Sequence, residues 1–191
     1  MEDKLNILDK EILELINLKM AKPDKTIKQH TLDLLENLYK LKQLGYINDN
    51  NIYELVEKAC IYHDIGKIKL PEEILNKKEP LTDEEYNLIK QHTNFGSVLM
   101  NGYCSDDICQ MIQYHHENID GSGYYRLTEI PLGSRIIRIC DVYDAMTSIR
   151  PYHTGKSMDE TMNYIRSHAG ILFDESLVQL FSIIIQRKKE I

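Results

Sequence analysis

The stretch Ala59-Cys60-Ile61-Tyr62-His63-Asp64-Ile65-Gly66-Lys67-Ile68 decides how this chain is read. It closes an apolar helical pattern in which Ile52, Leu55, Val56, Ala59 and Cys60 recur at helix spacing, so one face is expected to be buried. His63 and Asp64 fall at the C-terminal end of that face, and Gly66 is expected to stop the helix. A neutral imidazole beside a carboxylate suits a transition metal, and Lys67, one turn on, suits a phosphate oxygen. A His-Asp pair alone is a common dipeptide and weak evidence. The rest of the chain shifts the weighing. His30, His92, His115, His116 and Asp141 also sit on or beside apolar helical patterns, where an unpaired polar group is costly to desolvate.

Length and composition bound the reading. At 191 residues the chain reads as one domain, or one domain with a short appendage, with room for a real core. Five Pro and nine Gly favour long helices. The net charge of −7 argues against binding a nucleic-acid polymer through a basic face. An anionic substrate stays compatible, because divalent metals invert the local field. Cys60, Cys104, Cys109 and Cys140 form no C-x-x-C pair and read as reduced thiols, which with the absence of a signal peptide gives a cytoplasmic expectation. No apolar run approaches the ~18 residues of a membrane span.

Residues 1–22 read as an N-terminal amphipathic helix, with Leu5, Leu8, Ile12, Leu15 and Ile16 on one stripe. It either packs on the domain or serves a homodimer contact. Residues 23–191 read as the domain proper. A second helix runs to about Leu44 and stops at Gly45, with His30 pointing inward. Thr82 and Glu85 form a capping box for a helix to about Met100, with Leu88, Ile89, Val98 and Leu99 as core and His92 inward. A helix capped by Ser105 ends in His115-His116; adjacent histidines cannot share a direction on a regular helix, so one is expected to reach from a frayed end. Residues 117–132 form the longest non-helical stretch, and long structured loops in helical domains tend to be functional. From Ser134 an apolar helix carries Asp141, which is either bound to metal or solvated on a stripe with Arg138 and Asp144. Ser157 and Glu160 box a helix closed by His168 and Gly170, and a final helix covers 174–188. Period-two alternation is missing, so the expectation is all-α, with about seven to nine helices.

Taken in order, these residues resemble the HD-GYP subgroup of the HD-domain phosphohydrolases. The resemblance rests on His30, on His63-Asp64-Ile65-Gly66-Lys67-Ile68, on His92 with Gly96, and on His115-His116-Glu117. It continues through Asp120-Gly121-Ser122-Gly123-Tyr124, Asp141-Val142-Tyr143-Asp144 and Arg150-Pro151-Tyr152. It implies an HD-domain helical bundle around two divalent ions, iron, manganese or zinc. By position, His30, His63, Asp64, His92, His115, His116 and Asp141 would be ligands, with Asp64 bridging. Lys67 would hold the phosphate. Asp120, Gly121, Tyr124, Asp144 and Arg150 would lie near the substrate. The implied activity is hydrolysis of a cyclic dinucleotide, cyclic di-GMP above all, to linear dinucleotide or GMP by a metal-bridging hydroxide. Three positions depart from the family pattern. Tyr125 replaces the Pro of the Gly-Tyr-Pro signature, so the loop loses a ring that would fix its backbone. Thr26 stands where some members carry a third-metal Glu, which favours two ions. His153 stands where a Lys or Arg is usual, which weakens a phosphate or guanine contact. They keep two alternatives in play: an HD hydrolase of another nucleotide or phosphoester, and a degenerate domain that binds a nucleotide or partner without turnover.

Overall fold

The Asp49 carboxylate accepts the Asn51 amide at 2.8 Å and so caps helix α1 (Asn50–Tyr62). The computed structural model describes residues 36–40, 42–43, 45, 47–148 and 155–188. The helix expected at 3–20, His30, Thr26 and the stretch from Arg150 to His153 lie outside these. Residues 36–40 and 42–43 are helical, and Gly45 ends that run with φ 78° and its amide on the Lys42 carbonyl.

α1 buries Val56, Ala59 and Cys60 as expected, but Ile52 is exposed and Tyr53 turns inward in its place. The Tyr53 hydroxyl donates to Glu57 at 3.0 Å and Lys42 lies over its ring, so the larger apolar body can be covered while its polar tip stays partnered. The chain does not stop at Gly66. It tightens into a 3₁₀ turn, Ile65–Lys69, with the Lys67 amide on the Asp64 carbonyl and the Leu70 amide on the Lys67 carbonyl. Gly66 is needed for contact rather than for a cap: a Cβ there would lie 1.8 Å from the His92 carbonyl oxygen.

Pro71 leads into α2 (Glu72–Leu75). The Thr82–Glu85 capping box opens α3 (Asp83–Met100). α3 buries His92, Thr93, Gly96 and Met100. Val98, expected in the core, is 65% exposed. The helix turns its small-residue side to the 3₁₀ turn, and Val98, two residues from Gly96, falls on the opposite side. α4 (Asp106–Gln113) follows, then α5 (Leu132–Thr147), which starts behind Pro131 two residues earlier than expected. α6 (Met158–Ser167) carries the Ser157–Glu160 box, and α7 (Glu175–Lys188) closes the fold.

α3 packs on the 3₁₀ turn and on α4, α1 packs on α4 and α5, and α5 packs on α6 and α7. Val56, Ile112, Ile137, Ile165 and Phe181 are fully buried where these helices meet. Burying each large side chain contributes about 1.5–3 kcal/mol. Among the described residues every regular element is helical, apart from two isolated bridges. No disulfide joins the four cysteines, and no helix among the described residues is long and apolar enough to cross a membrane.

Candidate metal centre

Two helix ends and one helix interior aim imidazoles at a single point. His63 follows the last residue of α1, His92 lies inside α3, and His115 and His116 lie in the turn after α4. That turn lets both adjacent histidines face one way, which a continuing helix would forbid. Their rings are 4.2 Å apart, His92 lies 5.3 Å from His115 and 5.2 Å from His116, and His63 lies 5.2 Å from His115.

The main chain fixes three of these rings. His63 Nδ1 is 2.8 Å from the Cys60 carbonyl, His92 Nδ1 is 2.7 Å from the Ile89 carbonyl, and His115 Nδ1 is 2.7 Å from the Ile112 carbonyl. A carbonyl oxygen only accepts, so each Nδ1 carries the hydrogen and each Nε2 carries a lone pair. Those lone pairs converge. His92 Nε2 is 3.4 Å from His115 Nε2 and 3.5 Å from Asp64 Oδ1, and His63 Nε2 is 3.5 Å from Asp64 Oδ2. Acceptors set this close repel unless a cation lies among them. Ligand nitrogens of His92, His115 and His116 all fall within 4.8 Å of one another. The donor set therefore fits a transition metal.

Electrostatics prepare the same function. Burial lowers the His92 pKa to about 4 and the His116 pKa to about 3, and it holds His115 well below 6.5, so all three rings stay neutral. Burial would push the Asp64 carboxyl up, but the Lys67 ammonium, with the imidazoles around it, holds it well below the usual range. Lys67 Nζ donates to Asp64 Oδ2 at 2.6 Å and is itself partly exposed.

Asp141, half-buried on α5, acts by its charge on the His116 ring. Its stripe is only partly solvated: Arg138, also half-buried, donates twice to Asn118 Oδ1, and Asp144 is 4% exposed beside the Ser148 hydroxyl. Tyr124 lies over His116, centroids 4.8 Å apart at 33°. Asp120 is exposed and accepts the Ser122 amide, and Gly121 takes φ 77°, so both shape the turn ahead of Tyr124.

The residue that holds this loop is Glu117, buried at 2% exposure and given no task by the sequence reading. One carboxylate oxygen accepts the Tyr125 amide at 2.7 Å, and the other accepts the Leu127 amide at 2.8 Å. Between them Arg126 adopts φ 60°, the only positive φ among described non-glycine residues. The replaced signature proline thus has a counterpart. Tyr125 supplies an N–H that proline lacks, and its hydroxyl bonds Thr93 Oγ1 at 2.9 Å, next to His92. The Glu117 signal in the sequence was an acid between a histidine pair and a glycine-rich loop.

A family model for the HD domain matches residues 14–177. A cyclic di-GMP phosphodiesterase of Thermotoga maritima is 32% identical over 90% of this chain and 48% of its own length. A 3'3'-cGAMP-specific phosphodiesterase of Vibrio cholerae is 38% identical over 68% of this chain and 31% of its own length. The chain thus spans about half or less of the length of these curated relatives. An HDG"Y"P protein from Bdellovibrio bacteriovorus shares the fold at TM-score 0.70 and 20% identity, over 85% of this chain and 53% of that one.

Proposed function

Because the chain belongs to the HD domain family, we propose that it is a metal-dependent phosphodiesterase that hydrolyses a cyclic dinucleotide, cyclic di-GMP first. The observation that carries this reading is the facing of Nε2 lone pairs and the Asp64 carboxylate across 3.4–3.5 Å, with tautomers fixed by main-chain carbonyls. In this reading His63, Asp64, His92, His115 and His116 hold two divalent ions, completed by His30 and Asp141, with iron, manganese or zinc as the metal. Bound divalent cations supply Lewis acidity, lowering the pKa of a water and neutralising phosphate charge.

The chain's own groups do the rest. Asp64 ties the two sides of the cluster together through its two oxygens. Lys67 spends one donor on Asp64 and keeps two for a phosphate oxygen, where negative charge grows during attack. Tyr124 and the Glu117-held loop wall the His116 side. The relatives' names, which give cyclic di-GMP and 3'3'-cGAMP as substrates, support the substrate class.

The test is turnover of cyclic di-GMP, 3'3'-cGAMP and cyclic di-AMP by protein loaded with Fe(II), Mn(II) or Zn(II), with Asp64→Ala as control. Product is expected with at least one metal, together with loss of both metal and turnover in Asp64→Ala. Wild-type turnover by thoroughly metal-free protein would overturn the proposal. Stoichiometric metal with hydrolysis of none of the three would also overturn it.

A further inference from the structure

Outside the cluster, α3 presents one arrangement that the chemistry above leaves unused. Tyr86, one turn into the helix, is 45% exposed. Its ring meets Tyr124 edge to face, centroids 6.5 Å apart. Tyr124 in turn lies over His116. Lys90, one turn further along α3, places Nζ 4.6 Å from the Tyr86 centroid and 5.6 Å from that of Tyr124. Its ammonium has three donors, and Asn87 Oδ1 takes one at 3.2 Å. The result is a half-open aromatic step topped by a cation, leading outward from the metal-facing histidines.

We infer that Tyr86 and Lys90 form a guanine-binding subsite, Tyr86 stacking the base and Lys90 donating to its O6 and N7. The inference rests on the phosphodiesterase reading for its place in catalysis, but the binding it claims is separable from turnover. Every base has a π-face that an exposed tyrosine ring can accept. Guanine offers two acceptors on one edge to a lysine, whereas adenine puts an amino donor beside N7. Tyr124 connects the subsite to His116, so a nucleotide stacked on Tyr86 extends its phosphate toward the cluster.

The experiment compares wild type, Tyr86→Ala, Tyr86→Phe and Lys90→Gln in two measurements. The first is equilibrium binding of GMP and AMP. The second is kcat and KM for cyclic di-GMP, with bis(p-nitrophenyl) phosphate as a base-free reference. Tyr86→Ala is expected to weaken GMP binding by about 5- to 150-fold, the range for loss of one base stack. It is also expected to raise KM for cyclic di-GMP relative to the reference ester far more than it lowers kcat. Tyr86→Phe restores both, and Lys90→Gln narrows the GMP over AMP preference. Wild type that hydrolyses cyclic di-GMP with KM and GMP binding indifferent to Tyr86→Ala sinks the subsite and keeps the phosphodiesterase. GMP binding that depends on Tyr86 without any cyclic dinucleotide turnover does the reverse. A wild type that does neither overturns both.

Discussion

Replacing Gly66 by alanine adds one methyl group at the described glycine whose Cβ would come closest to other main-chain atoms. The new Cβ would lie 1.8 Å from the His92 carbonyl oxygen, 2.5 Å from the Gly96 amide nitrogen and 2.8 Å from the His92 carbonyl carbon. All three are main-chain atoms, so no rotamer change relieves the clash. The 3₁₀ turn and α3 would have to part from 1.8 Å toward the 3.4 Å where ordinary contact begins, roughly 1.6 Å. Overpacking in a well-filled core costs typically about 1–3 kcal/mol, and two rigid backbones place Gly66→Ala at or above about 3 kcal/mol. The same displacement carries Asp64 and Lys67 away from His92, and a shift of about 1 Å in a reacting site can cost about 100-fold in rate. Gly96→Ala is the internal contrast. Its Cβ would meet the Ile112 Cγ2 at 2.9 Å, the end of a side chain that can turn aside, with the Gly66 nitrogen at 3.4 Å. Urea denaturation together with metal content by mass spectrometry reads both effects. The expected order is a large loss of stability and metal for Gly66→Ala and a smaller one for Gly96→Ala. Wild-type midpoint and full metal in Gly66→Ala would refute the packing argument.

Glu117→Gln turns one acceptor into an amide that cannot receive an N–H, and a stranded buried donor costs about 1–3 kcal/mol, visible as a lowered urea midpoint. Tyr125→Pro restores the family's signature residue but deletes the amide that Glu117 holds, so it should destabilise more than Tyr125→Phe, which loses only the Thr93 contact, about 1 kcal/mol. A Tyr125→Pro protein more stable than Tyr125→Phe would contradict this. Acid should unfold the metal-free protein early. His92 and His116 resist protonation until about pH 4 and 3 when folded but take protons from pH 6.5 when unfolded, so stability rises with pH across that window. Each imidazole contributes at most about 1.4 kcal/mol per pH unit, and Asp64 adds its loss only below the ordinary carboxylate range. A urea midpoint that stays flat from pH 7 to pH 5 would rule this out.

The helices were legible because their signals are local. Thr82 with Glu85 and Ser157 with Glu160 are caps written in a few adjacent residues, and both boxes are found capping. The residues gathered at the centre were legible because imidazoles on apolar faces are rare enough to stand out. What depends on two backbones meeting was not. Gly66 read as a stop signal because glycine after a helix usually is one, and only the crossing with α3 gives it another task. Val98 read as core because the pattern does not say that the helix presents Gly96 instead. Tyr125 read as a loss of rigidity because the missing proline ring is visible in a sequence, whereas a carboxylate eight residues away accepting the new amide is not. Tyr86 and Lys90 carried no signal in the sequence, because Tyr124 comes beside them only in the fold.

Three of the histidines take their aim from carbonyl groups of their own chain, each three residues earlier. Many metal sites instead rely on a neighbouring carboxylate to steer the ring, and such a partner can be mutated away. Here no substitution outside the histidines deletes the acceptor, because every amino acid at Cys60, Ile89 or Ile112 still brings a carbonyl. Re-aiming these three rings by point mutation must therefore go through the histidines themselves or through the way the helices cross.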